Sequence, residues 1–298
     1  MNKKNLVTVL VPTHKRADAL ADTLTCLRDQ RRDSNYDYEV IVIDNGSDIE
    51  TKEIVNKYVP AFEGKIRYIS EPKKGKSNAL NAGIEEAGGD IIAITDDDCM
   101  PEKEWIYKIW QQFNKDKSID VLLGGVIWED GVPFYTKDYL FRGNGANSSF
   151  RKQLFKEIGS FDNIFGPGSM GYSAEDIEFI YRAYKNSKNI VICNDIIVHH
   201  KQRIDDSDEY KKRYRDVKGC MICWLKYGLM RKDAYSLKRM YWFVSGVLSE
   251  LFAALKNNDR GRVRLKLLQL TGILVGFVKG MYIWLLYVPI KSICQKSA

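Results

Sequence analysis

Asp90-Ile-Ile-Ala-Ile-Thr-Asp-Asp-Asp-Cys99 sets a short apolar run directly against three consecutive carboxylates. The run is continuous rather than alternating, which predicts a strand buried on both faces. Neighbouring carboxylates repel each other, so three in a row at a buried strand exit are costly unless a cation sits there. The spacing Asp96-x-Asp98 offers hard oxygen ligands suited to Mg2+ or Mn2+. A solvated acidic turn is the plain alternative, and the apolar strand in front of the triplet weighs against it.

Working outward, similar runs recur. Leu6-Val-Thr-Val-Leu-Val11 predicts a first buried strand, ended by Pro12. Glu39-Val-Ile-Val-Ile-Asp44 predicts a second, stopped by the turn Asn45-Gly46-Ser47-Asp48. Ile66-Arg-Tyr-Ile69 is a third. Helical patterns over 17–28, 51–58 and 77–87 lie between them, the last ended by Gly88-Gly89. This alternation predicts an α/β fold, a Rossmann-like, mostly parallel sheet flanked by helices. Ligands of such sheets bind beyond the carboxyl ends of the strands, so Asp44 and Asp96 to Asp98 are expected in one crevice. After a helix over 103–113 the chain reads as irregular and Gly-rich over 124–171, with a short helix over 152–158. A helix follows Ala174-Glu175-Asp176, and a strand at 190–193 leads through Ile196 to His199-His200. From 209 onward only helices are expected, over 209–228, 235–256 and 261–290.

The 298 residues suffice for one large domain or two modest ones, and the composition, 45% hydrophobic and 29% charged, is that of a globular protein. The net charge of +7 is uneven: residues 199–298 hold 20 lysines and arginines against 8 aspartates and glutamates, so the earlier part is mildly acidic. The first apolar run is too short for a signal-peptide core and has no small-residue cleavage site, which places catalysis in the cytoplasm as an expectation. The cysteines are scattered, and Cys220-x-x-Cys223 reads as part of a packed helix face rather than a metal or redox pair.

Val11-Pro-Thr-His-Lys-Arg16, Ile43-Asp-Asn-Gly-Ser47, Gly75-Lys-Ser-Asn-Ala-Leu-Asn-Ala-Gly83 and Thr95-Asp-Asp-Asp-Cys99 occur in that order. Gly145-Ala-Asn-Ser-Ser-Phe-Arg151, Gly159-Ser-Phe-Asp162 and Ala174-Glu-Asp176 follow. Each is weak alone; as an ordered series over residues 5–202 the chain resembles the family 2 glycosyltransferases of the GT-A fold. The resemblance implies an inverting enzyme that takes a sugar from a nucleotide-sugar donor, UDP-linked, with a divalent metal, Mn2+ or Mg2+. It implies a donor pocket of Pro12, Thr13, Arg16, Asp44, Lys76, Asn81 and Asp96. Asp44 would accept from the base, or else cap the Asn-Gly turn. Lys76 would meet the diphosphate as a point charge, unless it is a loop lysine beside Lys73 and Lys74.

The same resemblance makes Asp98 the principal metal ligand, with Asp96 at the ribose or the metal and His199 or His200 completing the coordination. A packed or surface histidine is the plain reading of either. Asp97 has no assigned part. Inversion by direct displacement needs one base, and Asp176 is the candidate, with Glu175 as alternative. Compensation of a helix N-terminus is the bland account of that pair. Gly145, Ala146 and Asn147 are expected near the sugar and acceptor, and 166–171 as a mobile loop over the donor. The sequence departs from many relatives in carrying Ala174 where they have Gly, and it lacks the Gln-x-x-Arg-Trp motif of processive synthases, which favours single-sugar transfer.

The tail mixes Trp, Tyr, Leu and Ile with Lys and Arg. Residues 267–290 are long enough to cross a bilayer, at roughly 1.5 Å per residue, but Lys279 sits mid-way, at roughly 2.5–3.5 kcal/mol. Arg260, Arg262, Arg264 and Lys266 precede the stretch, a pattern suited to a helix lying in an anionic membrane interface. The expectation is thus a catalytic domain over 1–205 and a basic, membrane-associating helical extension over 206–298, peripheral on the cytoplasmic side of the membrane. Its acceptor would be a glycan or polyprenyl-linked sugar in cell-surface glycan synthesis. Nucleic acid is disfavoured by the apolar tail. A nucleotidyltransferase would open on a Gly-rich, Arg-containing loop, which Val11-Pro-Thr-His-Lys-Arg16 is not; a binding or scaffold protein would not need Asp98 and Asp176.

Overall fold

The computed structural model describes residues 5–128, 133–134, 144–201 and 206–287. Expected features at 288–290, the end of the last helix, lie outside these residues, as does Cys294. The chain divides into two units, the first made of 1–163 and 175–202, the second of 164–174 and 203–298. The sequence reading placed the division at 205 and did not foresee that 164–174 groups with the C-terminal helices.

The first unit alternates as expected at its start. Strands β1 (Asn5–Thr13), β2 (Tyr36–Asp44), β3 (Ile66–Ser70) and β4 (Ile91–Ile94) are separated by helices α1 (Ala17–Arg28), α2 (Ile49–Tyr58) and α3 (Lys76–Glu86). β1 pairs in parallel with β2 and β4, and β2 with β3. Beyond β4 the sheet becomes mixed. β5 (Cys99–Pro101), α4 (Trp105–Lys115), β6 (Val121–Trp128), β7 (Pro133–Phe134), β8 (Ser148–Arg151), α5 (Lys152–Ile158), α6 (Glu175–Lys185) and β9 (Ile190–His200) complete the unit. The strand order is β3-β2-β1-β4-β8-β6-β9-β5, with β7 on β6. β8 inserts antiparallel between β4 and β6, and β6 pairs in parallel with β9.

The expectation of irregular chain from 124 is thus corrected: Gly124 and Gly125 lie inside β6. They sit at a register shift against β9. A Cβ on Gly124 would lie 2.3 Å from Asn147 Nδ2 and 2.5 Å from the Ile196 carbonyl, so only glycine lets Asn147 and β9 approach there.

The continuous apolar runs are explained by the two cores. Val7, Val9 and Val11 face one layer with Leu20, Leu24, Trp105 and Ile106. Leu10, Ile41 and Ile43 face the other with Leu80, Ile84, Phe150 and Phe179. Successive strand residues point to opposite faces, so a sheet covered on both sides needs apolar residues at every position.

The second unit contains α7 (Asp206–Leu225, running on as a π-turn over Lys226–Met230), α8 (Ala234–Lys256) and α9 (Arg260–Tyr282, with a π-turn over Ile283–Tyr287). Asp233 caps α8 by accepting from Ser236 N–H at 3.1 Å, and Asp259 caps α9 by accepting from Arg262 N–H at 2.9 Å. Cys223, on α7, is fully buried. The segment expected as a mobile loop is closed on itself: Gly171 N–H donates to the Ile164 carbonyl at 2.6 Å, and Ser169 Oγ to the same carbonyl at 2.7 Å.

Candidate functional site

The strand ends of the first unit carry the acidic triplet. Asp97, the member without an assigned part, is 4% exposed and points inward. Thr13 Oγ1 donates to its Oδ2 at 2.6 Å, and Arg16 Nη1 to its Oδ1 at 3.1 Å. The Thr23 hydroxyl lies 2.9 Å from the Asp97 carbonyl and 2.8 Å from that of Cys99. Burial pushes the Asp97 carboxyl up, against the pull of Arg16 and Thr13. Asp97 is therefore the anchor that ties the triplet to β1 and α1, leaving Asp96 and Asp98 to face outward. Nothing in the local pattern singles it out, because its partners lie more than seventy residues away.

Arg16 Nη1 also reaches Asp98 Oδ2 at 2.8 Å. On the other side of Asp98, His200 Nε2 stands 3.6 Å from Oδ1. The strand pairing brings them together, since Cys99 is opposite His200 and Met100 opposite His199. His200 Nδ1 lies 3.0 Å from the Lys201 carbonyl, which can only accept, so Nδ1 is the donor of that bond and Nε2 is the ring nitrogen turned towards Asp98. Trp128 packs on the imidazole with ring centroids 4.5 Å apart. His199 turns away, its Nε2 3.4 Å from Glu102 Oε1.

Ligating atoms of Asp96, Asp98, Cys99 and His200 all lie within 4.8 Å of one another. A 3.6 Å gap between Nε2 and Oδ1 is too long for a hydrogen bond and is of the size spanned by two ligands of one ion. Two carboxylates suit Mn2+ or Mg2+, and an added imidazole nitrogen favours Mn2+ of the two. Burial, then Asp96 and Asp98, hold the Cys99 thiol well above its usual range, so it stays protonated and is a poor ligand for a hard cation. The residues present fit a divalent metal at Asp96, Asp98 and His200, with His199 outside the group.

Lys76, the first residue of α3, joins this group to a second pair of carboxylates. Its Nζ lies 2.6 Å from Asp96 Oδ1 and 3.3 Å from Glu175 Oε1. Burial opposes its charge, but Asp96 and Glu175 outweigh that and raise the ammonium above its usual range. Asp176 follows Glu175 as the second residue of α6 and accepts from Ile177 N–H at 2.8 Å. A Cβ on Gly145 would lie 3.3 Å from both Asp176 Oδ2 and Lys76 Nζ, so the Gly145 backbone lines the same hollow. Burial, with the Glu175 charge adding to it, pushes the Asp176 carboxyl up to about 7, against Lys76 and the backbone hydrogen bonds from Ile177 and Gly145. A carboxylate in that range is poised to take a proton near neutral pH.

Other expected site residues also make contacts within the protein. Asp44 is fully buried and accepts from Gly46 N–H at 2.7 Å, Asp48 N–H at 2.6 Å and Tyr68 Oη at 2.9 Å. These bonds cap the Asn-Gly turn. Pro12 and Thr13 lie in the last residues of β1, beside Asp44 across the pairing with β2. The Asn81 amide clasps the Phe161 backbone and Asn163. Asn147 is 1% exposed, accepts from Trp105 Nε1 at 2.8 Å and donates to the Gly125 and Ile196 carbonyls. Ala146, next to it, packs partly buried against the first core layer.

Comparison with known proteins bears on the family and the fold. The family model described as glycosyl transferase family 2 matches residues 8–178. The glycosyltransferase AglE of Haloferax volcanii is 25% identical over 261 residues, which cover 81% of this chain and 81% of that protein. Among solved structures, the mannosyltransferase PcManGT from Pyrobaculum calidifontis, in complex with GDP-Man and Mn2+, superposes with a TM-score of 0.65 at 15% identity, over 93% of this chain and 87% of that one. TarS of S. aureus, in complex with UDP-GlcNAc, gives 0.57 at 21% identity over 74% of this chain and 66% of that one. The two structures share the GT-A fold with this chain.

Proposed function

Because the chain belongs to glycosyl transferase family 2 and is a glycosyltransferase of GT-A fold, we propose that it transfers a single sugar from a UDP-sugar, with inversion, to a glycan or polyprenyl-linked acceptor in cell-surface glycan synthesis. The observation that carries the reading is Lys76, whose one ammonium lies between Asp96 of the acidic group and Glu175 of the α6 pair. Two carboxylate groups of different character, one at a metal-fitting cluster and one with a raised pKa, are what donor and acceptor halves of such a site require. PcManGT with GDP-Man and Mn2+ and TarS with UDP-GlcNAc are both seen holding nucleotide sugars, which supports that donor class.

In this reading Asp176 takes the proton of the acceptor hydroxyl as its oxygen forms the bond to the anomeric carbon. The bond from that carbon to the diphosphate oxygen breaks, and the electron pair leaves with the nucleoside diphosphate. Asp96, Asp98 and His200 would hold Mn2+ or Mg2+, which supplies positive charge against the departing diphosphate. Arg16 and Lys76 neutralise the carboxylates before the donor arrives, and Lys76 is placed to exchange Asp96 for a phosphate oxygen. Glu175 holds Lys76 rather than acting as the base.

We assign catalysis to 1–205 and attachment to the cytoplasmic face of the membrane to 206–298. The stretch Arg260–Leu286 is long and apolar enough to cross a membrane by length and composition, with mean hydropathy 1.4 over its most apolar window. A peripheral placement is favoured by the polar partners its helix keeps: Lys266 pairs with Glu250 at 2.6 Å, and Lys279 hydrogen-bonds the Tyr172 hydroxyl. Exposed apolar residues instead form stripes, Tyr241, Leu248, Phe252 and Leu255 on α8 and Leu267, Leu274, Val278, Tyr282 and Leu285 on α9.

Thermal shift with Mn2+ across UDP-, GDP- and TDP-sugars, followed by transfer to polyprenyl-linked glycans, tests the reading. A UDP-sugar is expected to raise the melting temperature. A protein that neither binds nor hydrolyses any of these sugars defeats it, and near-normal transfer by Asp176→Asn removes Asp176 as the base.

A further inference from the structure

Within the second unit, two helices bring cations to one aromatic ring. α7 carries Tyr214 and Lys218 one turn apart, α9 carries Lys279, and the segment 164–174 supplies Tyr172. The helices approach closely along Gly272, Gly276 and Gly280, spaced one turn apart. A Cβ on Gly276 would lie 2.9 Å from the Lys218 carbonyl and 2.9 Å from Met221 Cβ. Small residues at that spacing let backbones come together, and the approach sets Lys279 beside Lys218.

Lys218 Nζ lies 3.5 Å from the centre of the Tyr172 ring and 4.3 Å from that of Tyr214. Lys279 Nζ lies 4.1 Å from the Tyr172 ring centre and hydrogen-bonds its hydroxyl. Lys218 is 6% exposed. Among the described residues, no carboxylate pairs with either lysine. Cation–π contacts offset part of the cost of burying an ammonium, whereas a buried charge without a counterion is costly and two cations on one ring repel. Burial, together with Lys279 and Arg215, pushes the Lys218 ammonium below its usual range despite Tyr172.

The backbone that presents Tyr172 is strained. Tyr172 has φ +69° and Ala174 φ +69°, a left-handed conformation that bulky side chains avoid. Gly166 N–H donates to the Ser173 carbonyl at 3.2 Å, and Ser173 Oγ to the Arg215 carbonyl at 3.3 Å, which hold the segment against α7. Strain of this kind persists where a side chain is being held in a set place.

We propose that Lys218, Lys279, Tyr172 and Tyr214 form an anion site that takes a phosphoryl group, as a phosphate monoester or diphosphate. Two ammonium groups match a dianion; a single carboxylate would leave one uncompensated. The phenol of Tyr172 can turn its proton to a phosphate oxygen while keeping the bond from Lys279. The site stands apart from the glycosyl-transfer reading, although a polyprenyl-linked acceptor would bring such a group. Tyr172 lies three residues before Glu175 in the chain, so an anion held there fixes the segment that leads into α6.

The test uses the full chain in EDTA, titrated calorimetrically with inorganic phosphate and pyrophosphate. In parallel it is floated with phosphatidylcholine vesicles carrying polyprenyl monophosphate or unphosphorylated polyprenol. Binding is expected to weaken at least tenfold in Lys218→Met and in Lys279→Gln, with the background at Arg16 and Lys76 common to all three proteins. The ligand-free melting temperature of Lys218→Met is expected to equal or exceed that of the native chain, since an uncompensated buried cation is removed. Tighter binding to polyprenyl-phosphate vesicles identifies a lipid headgroup, and equal binding of free pyrophosphate a soluble one. Binding unchanged in both variants, or absent with every probe, overturns the proposal. The shift produced by nucleotide sugar and Mn2+ is read separately and is expected to survive both substitutions, so failure here is distinct from failure of the transfer reading.

Discussion

Lys76 Nζ lies 2.6 Å from Asp96 Oδ1, and this ion pair joins the metal-fitting group to the acidic start of α6. The pair is half-buried, with side-chain exposures of 14% and 24%. Removing one partner leaves Asp96, Glu175 and Asp176 facing each other without a countercharge. Lys76→Met is expected to cost about 1–3 kcal/mol in stability, read as a drop of several degrees in melting temperature in metal-free buffer. Mn2+ is expected to restore part of that drop, because it supplies charge at Asp96. A native melting temperature in EDTA would show the ion pair to be immaterial.

Asp176 has a carboxyl raised to about 7 by burial and by Glu175. The base must be ionised to accept a proton, so kcat/KM is expected to be full above about pH 7 and to fall about tenfold per unit below it. The stability consequence has the opposite sign. The folded state holds this proton more tightly than the unfolded chain, so its stabilising contribution is full below the unfolded value near 3.8 and is lost as pH rises through about 7. Asp176→Asn removes the ionisation; the variant is expected to melt higher than the native chain at pH 8 while transferring about 100-fold or more slowly. A pH–rate profile flat between 5 and 8 counts against this assignment.

How far the sequence already shows this site differs by residue. β1 to β4 are legible because each is a continuous apolar run bounded by turn residues, and Asp44, Asp96 and Asp98 follow as strand-end carboxylates. β6 and β8 are less legible: Gly124-Gly125 interrupts the apolar run Val121 to Trp128, Ser148-Ser149 carries no apolar pattern, and pairing partners far along the chain complete both strands. The two histidines are equivalent in sequence, and alternation alone says only that they face opposite ways. The register of β5 on β9 decides that His200 is beside the carboxylates. Asp97 shows the same limit, since a buried anchor is recognisable only once Thr13 and Arg16 are seen against it. Asn81 and Asn147 sit in site motifs, yet their amides hold backbone, a role set by three-dimensional neighbours.

The arrangement of Asp98 and His200 makes the metal reading specific. Mn2+ at about 100 times its dissociation constant is expected to stabilise the native chain by about 2.7 kcal/mol. His200→Ala and Asp98→Ala are expected to lose most of that increment and at least tenfold in Mn2+ affinity, while His199→Ala keeps both. Transfer is expected to stop in EDTA and return with Mn2+. Equal losses for His199→Ala and His200→Ala would mean that the β5–β9 register does not select the ligand.

The membrane reading separates into a charged and an apolar part. Of the basic residues that open α9, Lys266 and Arg262 pair with Glu250, at 2.6 and 3.4 Å, so Arg260 and Arg264 are those left to meet anionic lipid, Arg264 lying over the Tyr210 ring. At about 1 kcal/mol for each basic group near an anionic surface, the double substitution Arg260→Ala with Arg264→Ala is expected to weaken binding to anionic vesicles roughly 30-fold at low salt. The same variant should differ little from the native chain at high salt, where screening has removed that term. Phe252 and Leu274 are 69% and 64% exposed, and their apolar surface should govern what remains. Phe252→Ser with Leu274→Ser is therefore expected to lower vesicle binding equally at low and high salt, and to leave the melting temperature nearly unchanged because neither side chain is buried. Flotation at two salt concentrations reads both effects. If the serine pair leaves flotation unchanged while lowering the melting temperature, these stripes are packing surfaces and not a membrane face.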